Sequence, residues 1–137
     1  MTRYLLDTNQ ISDAVGRVSI VRDRIQRGRA NGLIVGTSLP VICELEAGLQ
    51  GLEQPDRPRR VLEFMLGRTI KLWPMTRSAA ILYGQIYQDL RGRGRVLSQV
   101  DLMLAALCFD MGLTLLTSDQ DFRAIPDLNI EDWTRPS

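Results

Sequence analysis

Short apolar runs alternate along the chain with longer segments in which apolar residues recur at helical spacing. The runs predict strands at 4–6, 33–35, 69–73, 113–116 and 128–130, and the longer segments predict helices at 10–28, 38–52, 57–67, 76–91 and 99–111. This alternation predicts an α/β fold: a central, mostly parallel sheet of about five strands flanked by helices, with the last strand at an edge. The 137 residues contain no internal repeat or linker, so we expect one domain over 1–137.

Polar residues follow two of the predicted strands at the point where each strand ends. Asp7 comes directly after the strand at 4–6, and Thr117, Ser118 and Asp119 come directly after the strand at 113–116. In an open parallel sheet, ligands bind beyond the carboxyl ends of the strands. We therefore expect two aspartates to meet at one edge of the sheet.

Another carboxylate, Asp101, stands at the head of a segment that is apolar nearly all round the helix from 102 to 109. A charge at the start of a buried helix is costly unless it is capped, paired or bound to a metal. The spacing Ser98-x-x-Asp101 fits a capping box, and the positive end of the helix dipole favours an acid there. Both interpretations, cap and metal ligand, remain open on this segment alone.

The other acidic candidates have structural alternatives as well. Asp7 is one of three neighbouring residues able to cap the next helix. Glu44 and Glu46 flank the apolar stripe of their helix at similar angles, so periodicity does not choose between them. Asp119 and Asp121 are suited to turns or to capping a short helix. Several carboxylates brought together without a cation repel one another, and Mg²⁺ or Mn²⁺ relieves that repulsion.

The composition narrows the chemistry. The chain has no histidine, which excludes Ser–His and Cys–His nucleophile systems and His-ligated metals. Its two cysteines, Cys43 and Cys108, lie in apolar helical patterns and are predicted to be small buried groups. The net charge of +1 neither requires nor excludes a nucleic-acid partner. Without a signal-peptide pattern or an apolar run of about 20 residues, the chain is expected in the cytosol, away from membranes.

Four segments in order resemble the motifs of a PIN-domain ribonuclease, and more closely those of the VapC-type toxins of bacterial toxin–antitoxin pairs. They are "LLDTNQIS", "ICELEAG", "VDLMLAALCFDMGLTLLTSDQDF" and the closing "IPDLNIEDW". The resemblance covers essentially the whole chain. Family members often have Gly or Pro shortly before the third acid, where this chain has "SQV" at 98–100, so the resemblance does not imply the shape of that loop.

The resemblance implies the roles of individual residues. The catalytic acids would be Asp7, Glu44 rather than Glu46, Asp101 and a fourth acid. Asp119 is favoured as the fourth because it follows its strand immediately, and Asp121 is the alternative. Asp7, Asp101 and the fourth acid would bind the metal. The supporting polar residues would be Thr8, Asn9 and Thr117.

The activity implied by the resemblance is that of a Mg²⁺- or Mn²⁺-dependent endoribonuclease. Such an enzyme would cut structured RNA, a tRNA or a ribosomal RNA, by metal-activated water. A homodimer and a VapB-type antitoxin that blocks the site are implied too. A catalytically silent PIN-like binding module is the alternative. In the "RGRGR" loop ahead of Asp101, Arg91, Arg93 and Arg95 are candidates for phosphate contacts, a solvated charged surface being the alternative.

Overall fold

A computed structural model describes residues 2–136. Its strands lie side by side in the order β3-β2-β1-β4-β5, every neighbouring pair is parallel, and six α-helices and one 3₁₀ helix flank them within this described range. The bounds are β1 Arg3–Leu6, α1 Thr8–Ala14, α2 Ile20–Ala30, β2 Ile34–Thr37, α3 Leu39–Gln50, α4 Asp56–Arg68, β3 Lys71–Leu72, α5 Arg77–Gly92, α6 Gln99–Met111, β4 Thr114–Leu116, the 3₁₀ helix Gln120–Ala124 and β5 Ile130–Glu131. The predicted α/β fold with five parallel strands and an edge position for the last strand is confirmed.

The single helix predicted at 10–28 was wrong, because the chain forms two helices there. Helix α1 starts earlier, at Thr8, and ends at Ala14, whereas Ser19 begins α2 by accepting a hydrogen bond from the backbone N–H of Arg22 at 3.0 Å. The Arg22 guanidinium donates to the carbonyls of Ala14 and Gly16, at 2.6 and 2.5 Å. A strong cap and a well-placed arginine thus stabilise a turn that the apolar periodicity does not reveal.

Near the centre of the sheet, the side chain of a tryptophan packs directly over a glycine. Gly36 of β2 lies under Trp73, and a Cβ atom at position 36 would come within 2.7 Å of the Lys71 carbonyl and 2.4 Å of the indole nitrogen. That nitrogen donates to the carbonyl of Tyr4 in β1 at 2.9 Å. The absence of a side chain at position 36 therefore lets the indole cross β2 and bond to the central strand.

Helix α6 is the buried helix that its sequence predicts, with Leu104, Leu107 and Cys108 each at most 2% exposed. Burial raises the pKa of the Cys108 thiol well above its usual range. Cys43 was wrongly predicted to be buried: it is exposed, because the inward face of α3 is formed by Val41 and Leu45.

The register brings the ends of the central strands together. Leu6 of β1 pairs with Leu116 of β4, and the backbone N–H of Asp7 donates to the Leu116 carbonyl at 3.0 Å. On the other side, the Thr37 hydroxyl at the end of β2 donates to the Leu6 carbonyl at 3.1 Å. Asp7 therefore lies at the middle of the carboxyl edge, between the segments that follow β2 and β4. Within residues 2–136, no helix has the length and apolar character needed to cross a membrane.

Candidate active site

Asp7 is both a helix cap and a buried carboxylate. It is 5% exposed, and its carboxylate accepts a hydrogen bond from the Gln10 backbone N–H at 2.9 Å, which caps α1. Burial raises the pKa of Asp7, and the negative charge of Asp119 raises it further, while hydrogen bonds from Thr117 and the Gln10 backbone lower it. The cap is thus only one of the interactions made by this carboxylate.

Asp101 lies in the first turn of α6 and is half-buried. The cap of this helix is Ser98, whose hydroxyl accepts from the Asp101 backbone N–H at 3.1 Å. Burial raises the pKa of Asp101, a hydrogen bond from Ser98 lowers it, and the charges of Asp119, Glu44 and Asp7 each raise it further. The four carboxylates therefore share one electrostatic neighbourhood.

Glu44 and Glu46 lie in different environments, although periodicity does not distinguish them. The Thr8 hydroxyl donates a hydrogen bond to the Glu44 carboxylate, which directs that acid toward the start of α1. Glu46 instead forms an ion pair with Arg59 of α4, at 2.7 Å. Of these two acids, Glu44 is the one that acts on the pKa of Asp101.

Asp119 and Asp121 also differ in their surroundings. The backbone N–H of Asp119 donates to the Thr117 hydroxyl at 3.0 Å, so Thr117 contacts both Asp7 and the Asp119 backbone. The Asp119 carboxylate accepts from the Asp121 backbone N–H at 2.9 Å and caps the 3₁₀ helix. Asp121 is exposed on that helix. Of these two acids, Asp119 is the one that raises the pKa values of Asp7 and Asp101.

The predicted supporting residues divide into two kinds. Thr8 and Thr117 hydrogen-bond to acids of the site, as described above. Asn9 has an exposed side chain, and its backbone N–H lowers the pKa of Asp7 by hydrogen bonding. The contribution of Asn9 visible in this structure is therefore made by its backbone.

The side chains around this edge suit a hard divalent cation in their chemistry. All the donors are carboxylate or hydroxyl oxygens, the ligands that Mg²⁺ and Mn²⁺ prefer. Burial is the main cause of the raised pKa values of Asp7 and Asp101, and repulsion between the acids, which a cation would relieve, adds to it. Among residues 2–136, however, no three acidic or cysteine side chains are grouped at the spacing of metal ligands. The oxygen atoms of the site are therefore of the kind that binds Mg²⁺ or Mn²⁺, although the side chains in the described part of the chain are not grouped at ligand spacing.

One fully buried polar residue of this region, Gln10, was not singled out from the sequence. Gln10 donates to the Asp132 carboxylate at 2.9 Å and accepts from the Trp133 backbone N–H at 3.2 Å. It therefore ties the helix that follows Asp7 to the C-terminal segment. Ser38, fully buried after β2, has a hydroxyl without a hydrogen-bond partner among the described residues. A glutamine beside the buried Ile11 breaks the apolar pattern of α1, a signal that was available in the sequence.

The three arginines of the "RGRGR" segment are not equivalent. Arg93 pairs with Asp89 at 2.8 Å and donates to the Ala124 carbonyl at 2.9 Å. Arg91 donates to the Tyr87 hydroxyl at 3.2 Å, and Arg95 is exposed in the loop that leads to α6. The guanidinium of Arg93 thus holds the loop in place, whereas the positive charges of Arg91 and Arg95 lie exposed at the surface.

A groove of about 940 Å³ extends from the acids along α1, α3 and the start of α4. Thr8 and Glu44 line it at the site, Arg17 and Arg60 supply positive charge, and Leu45 lines it as well. The groove therefore places acidic, cationic and apolar side chains next to the site.

The comparisons with known proteins agree with this geometry. The PIN-domain family model matches residues 4–128. The chain belongs to the PIN-domain family. Among related PIN-domain proteins, ribonuclease VapC1 of Haemophilus influenzae strain R2866 is 28% identical over 134 residues, which cover 96% of this chain and 98% of the relative. The tRNA(fMet)-specific endonuclease VapC of Salmonella typhimurium strain LT2 is 29% identical over 135 residues, 97% of this chain and 99% of the relative.

Solved structures show the same PIN-domain fold. A chain of the DNA-bound VapBC complex from Salmonella typhimurium superposes with a TM-score of 0.83 at 28% identity, covering 97% of this chain and 99% of that one. A chain of VapBC2 from Rickettsia felis, bound to a promoter DNA fragment, superposes with a TM-score of 0.86 at 22% identity, covering 96% and 99%. At that lower identity the likeness shows the fold alone.

Proposed function

We propose that this PIN-domain protein is an endoribonuclease toxin of the VapC type that cuts structured RNA, a tRNA or a ribosomal RNA. The observation that carries this proposal is the shared electrostatic neighbourhood of Asp7, Glu44, Asp101 and Asp119 at the carboxyl edge of the sheet. The names of the related ribonucleases, one of them a tRNA endonuclease, support the same activity. In this proposal the whole chain, 1–137, is one catalytic domain.

The cofactor in this proposal is Mg²⁺ or Mn²⁺, held by Asp7, Asp101 and Asp119, with Asp121 as the alternative fourth acid. When bound, such an ion supplies a Lewis acid for hydrolysis of a phosphodiester. Glu44 is the remaining catalytic acid. These assignments rest on the oxygen-only donor set and on the pKa values of Asp7 and Asp101, which burial raises and the neighbouring acids raise further.

Two hydroxyls position the acids in this mechanism. The Thr117 hydroxyl lowers the pKa of Asp7 and accepts a hydrogen bond from the Asp119 backbone N–H, so Thr117 links the segments that follow β1 and β4. Thr8 orients Glu44 through its hydroxyl. Asn9 acts beside them through its backbone. No histidine is needed, because the carboxylates orient the reactants and no covalent enzyme intermediate forms.

The groove supplies the remaining contacts with the substrate in this proposal. Three arginines line it: Arg57 donates to the carbonyls of Val15 and Gly16, whereas Arg17 and Arg60 suit the phosphates of a bound strand. Arg91, Arg93 and Arg95 are proposed as further RNA-binding residues on the other side of Asp101. Arg93 contributes indirectly, since Asp89 and the Ala124 carbonyl already hold its guanidinium.

A VapB-type antitoxin is the proposed protein partner, and we propose that the toxin itself is a homodimer that acts in the cytoplasm. Support for the antitoxin comes from the solved VapBC complexes that share this fold, one of them 28% identical to this chain. A chain that occupied the groove beside Glu44 would exclude RNA from the acids. Inhibition by simple occlusion is therefore expected.

The activity is tested with purified, antitoxin-free protein and total bacterial RNA, in Mg²⁺, in Mn²⁺ and in chelator, with new 5′ ends mapped by sequencing. Asp101→Asn is compared with Asp110→Asn, the same change on the same helix away from the acids. Asn at 110 keeps an oxygen that can accept the hydrogen bond from Thr76, which the carboxylate accepts at 2.8 Å. Discrete cuts that require metal and disappear only in Asp101→Asn are expected. If folded protein makes no such cuts, the alternative of a silent binding module stands instead.

A further inference from the structure

A second, smaller pocket lies beside the acids, between the end of α5 and the start of α6. Its volume is about 150 Å³. The residues that line it are Tyr87, Leu90, Arg91, Arg95, Val96, Leu97 and Leu102. Leu90 and Leu102 are buried and form an apolar base, whereas both arginines are exposed. The pocket thus combines an apolar interior with two positive charges at its surface.

The pocket adjoins the proposed catalytic centre. Leu102 follows Asp101 directly, so the Cα atoms of a lining residue and of a site acid are only about 3.8 Å apart. Val96 and Leu97 belong to the same loop that delivers Ser98, the cap of α6. The start of α6 therefore carries both a site acid and part of the wall of this pocket.

The volume favours a single flat group as the occupant. Ligand sites for drug-sized molecules are roughly 300–1,000 Å³, and one water occupies about 30 Å³ in the liquid. The pocket is therefore too small for a helix or a folded ligand and has room for one heteroaromatic ring system. RNA presents such a group wherever a base is unpaired and unstacked.

The side chains around the pocket suit a base and its phosphates. Tyr87 is stacked with Tyr83, with ring centroids 6.4 Å apart, and Arg91 donates to the Tyr87 hydroxyl at 3.2 Å. Tyr87 is 37% exposed, and Val96 in the adjoining loop is 91% exposed. Aromatic faces and guanidinium planes are the groups on which proteins stack unpaired bases, and arginine also binds phosphate.

The loop between α5 and α6 is held in place by contacts other than those made by the side chains of Tyr87, Arg95 and Val96. Arg93, between Arg91 and Arg95, pairs with Asp89 and donates to the Ala124 carbonyl, which ties the end of α5 to the 3₁₀ helix. The Arg95 backbone N–H donates to the Leu90 carbonyl at 2.8 Å. The pocket is thereby formed in advance, while Tyr87, Arg95 and Val96 remain available at its mouth.

We propose that this pocket binds one unpaired nucleobase of the RNA substrate, close to the phosphodiester that is cut, with Arg91 and Arg95 on the adjoining phosphates. This inference rests on the proposed ribonuclease function and specifies its substrate: a cut in an unpaired loop, with a base preference at one fixed position relative to the cut. Tyr87 and Val96 are then specificity-determining residues.

The test separates binding from cleavage. A pool of hairpin RNAs with randomised loops is titrated against Asp101→Asn protein, with and without Tyr87→Leu, Arg95→Gln or Val96→Ser added. Arg77→Gln, at the opposite end of α5, is the matched control for the arginine. Stacking of one base accounts for about a tenfold change in affinity, so Tyr87→Leu is expected to weaken binding about tenfold, with Arg77→Gln unchanged. Arg95 and Val96 are exposed, so their variants remain informative if Tyr87→Leu does not fold.

Cleavage of the same pool by protein with Asp101 intact gives the second readout. We expect a base preference at one position beside the cut, flattened by Tyr87→Leu and Val96→Ser, and reduced cutting when that nucleotide is abasic. Metal-dependent cuts whose position and base preference are unaffected by these changes would overturn the pocket and leave the ribonuclease intact. Absence of cutting by wild type with pocket-dependent RNA binding would overturn the ribonuclease alone. Variants that weaken only antitoxin binding would assign the pocket to the antitoxin.

Discussion

The junctions that begin α1 and α6 both place an aspartate at the head of a helix, but they use it differently. At the first junction the Asp7 carboxylate itself caps α1 and is 5% exposed. At the second junction Ser98 provides the cap, and the half-buried Asp101 carboxylate is not needed as a cap. The comparison shows that one residue type at one helix position can combine a structural and a chemical role or leave them to separate residues.

The largest expected effect is common to both junctions. Asp7→Asn and Asp101→Asn should each lower RNA cleavage more than a hundredfold, because residues that merely support a metal ligand already account for about 10–100-fold. Initial rates on the mapped RNA substrate measure this. Asp110→Asn should remain within about twofold of wild type by the same reasoning. Comparable activity in the Asp7 or Asp101 variant would remove that residue from the site.

Thr117 interacts with both Asp7 and Asp119, so replacing it should disturb the positions of both acids. Thr117→Val keeps the shape of the side chain but removes the hydrogen bond to Asp7 and the acceptor for the Asp119 N–H. We expect cleavage to fall about 10–100-fold. Thr114→Val, at a buried threonine in the strand that ends just before Thr117, is the control. Equal losses in the two variants would indicate a general effect on β4 instead of a role at the site.

Stability should distinguish the two junctions where activity does not. Asp7→Ala removes the α1 cap and should lower the free energy of unfolding by about 0.5–2 kcal/mol, whereas Asp7→Asn keeps a capping oxygen and should lose much less. Asp101→Ala should not lower the free energy of unfolding, because Ser98 still caps α6. Urea unfolding in chelator measures all three variants. A larger loss for Asp101→Ala than for Asp7→Ala would reverse the comparison.

The smallest effect concerns pH, and its sign follows from the raised pKa values. Asp101 has a folded pKa above its ordinary value of 3.8, mainly through burial. Its contribution to stability is therefore complete below that ordinary value and is lost as the pH rises through the folded pKa. Asp101→Asn, which does not ionise, should be more stable than wild type near neutral pH without metal, and the gap should close toward about pH 4.

Thermal unfolding in chelator across that range measures the gap. Asp110→Asn, the same change at the other end of α6, is the control and should follow wild type. Added Mn²⁺ should raise the unfolding temperature of wild type and leave Asp101→Asn nearly unchanged, since only a protein that binds the ion gains stability from it. A gap that widens toward acid pH would mean that the Asp101 carboxylate is stabilised, not strained, in the folded protein.

Much of the architecture could be read from the sequence because its causes are local. The alternation of apolar runs and helical patterns predicted the parallel sheet, the apolar character of α6 predicted its burial, and the motif around Asp7 placed that acid after β1. The spacing Ser98-x-x-Asp101 predicted the cap of α6. These features depend on periods of two and 3.6 residues and on contacts within one turn, which a single chain displays directly.

Other features depend on contacts between distant segments, and only the tertiary structure decided them. Glu44 and Glu46 share one periodic pattern, and although the family resemblance favoured Glu44, the contacts that separate them, with Thr8 and Arg59, come from the tertiary structure. The turn that divides α1 from α2 is stabilised by side chains such as Arg22, and Cys43 is exposed because α3 turns another face inward. Thr117 meets Asp7 across more than a hundred residues of chain. Such neighbours are set by packing and register, whose contacts carry no period along the sequence.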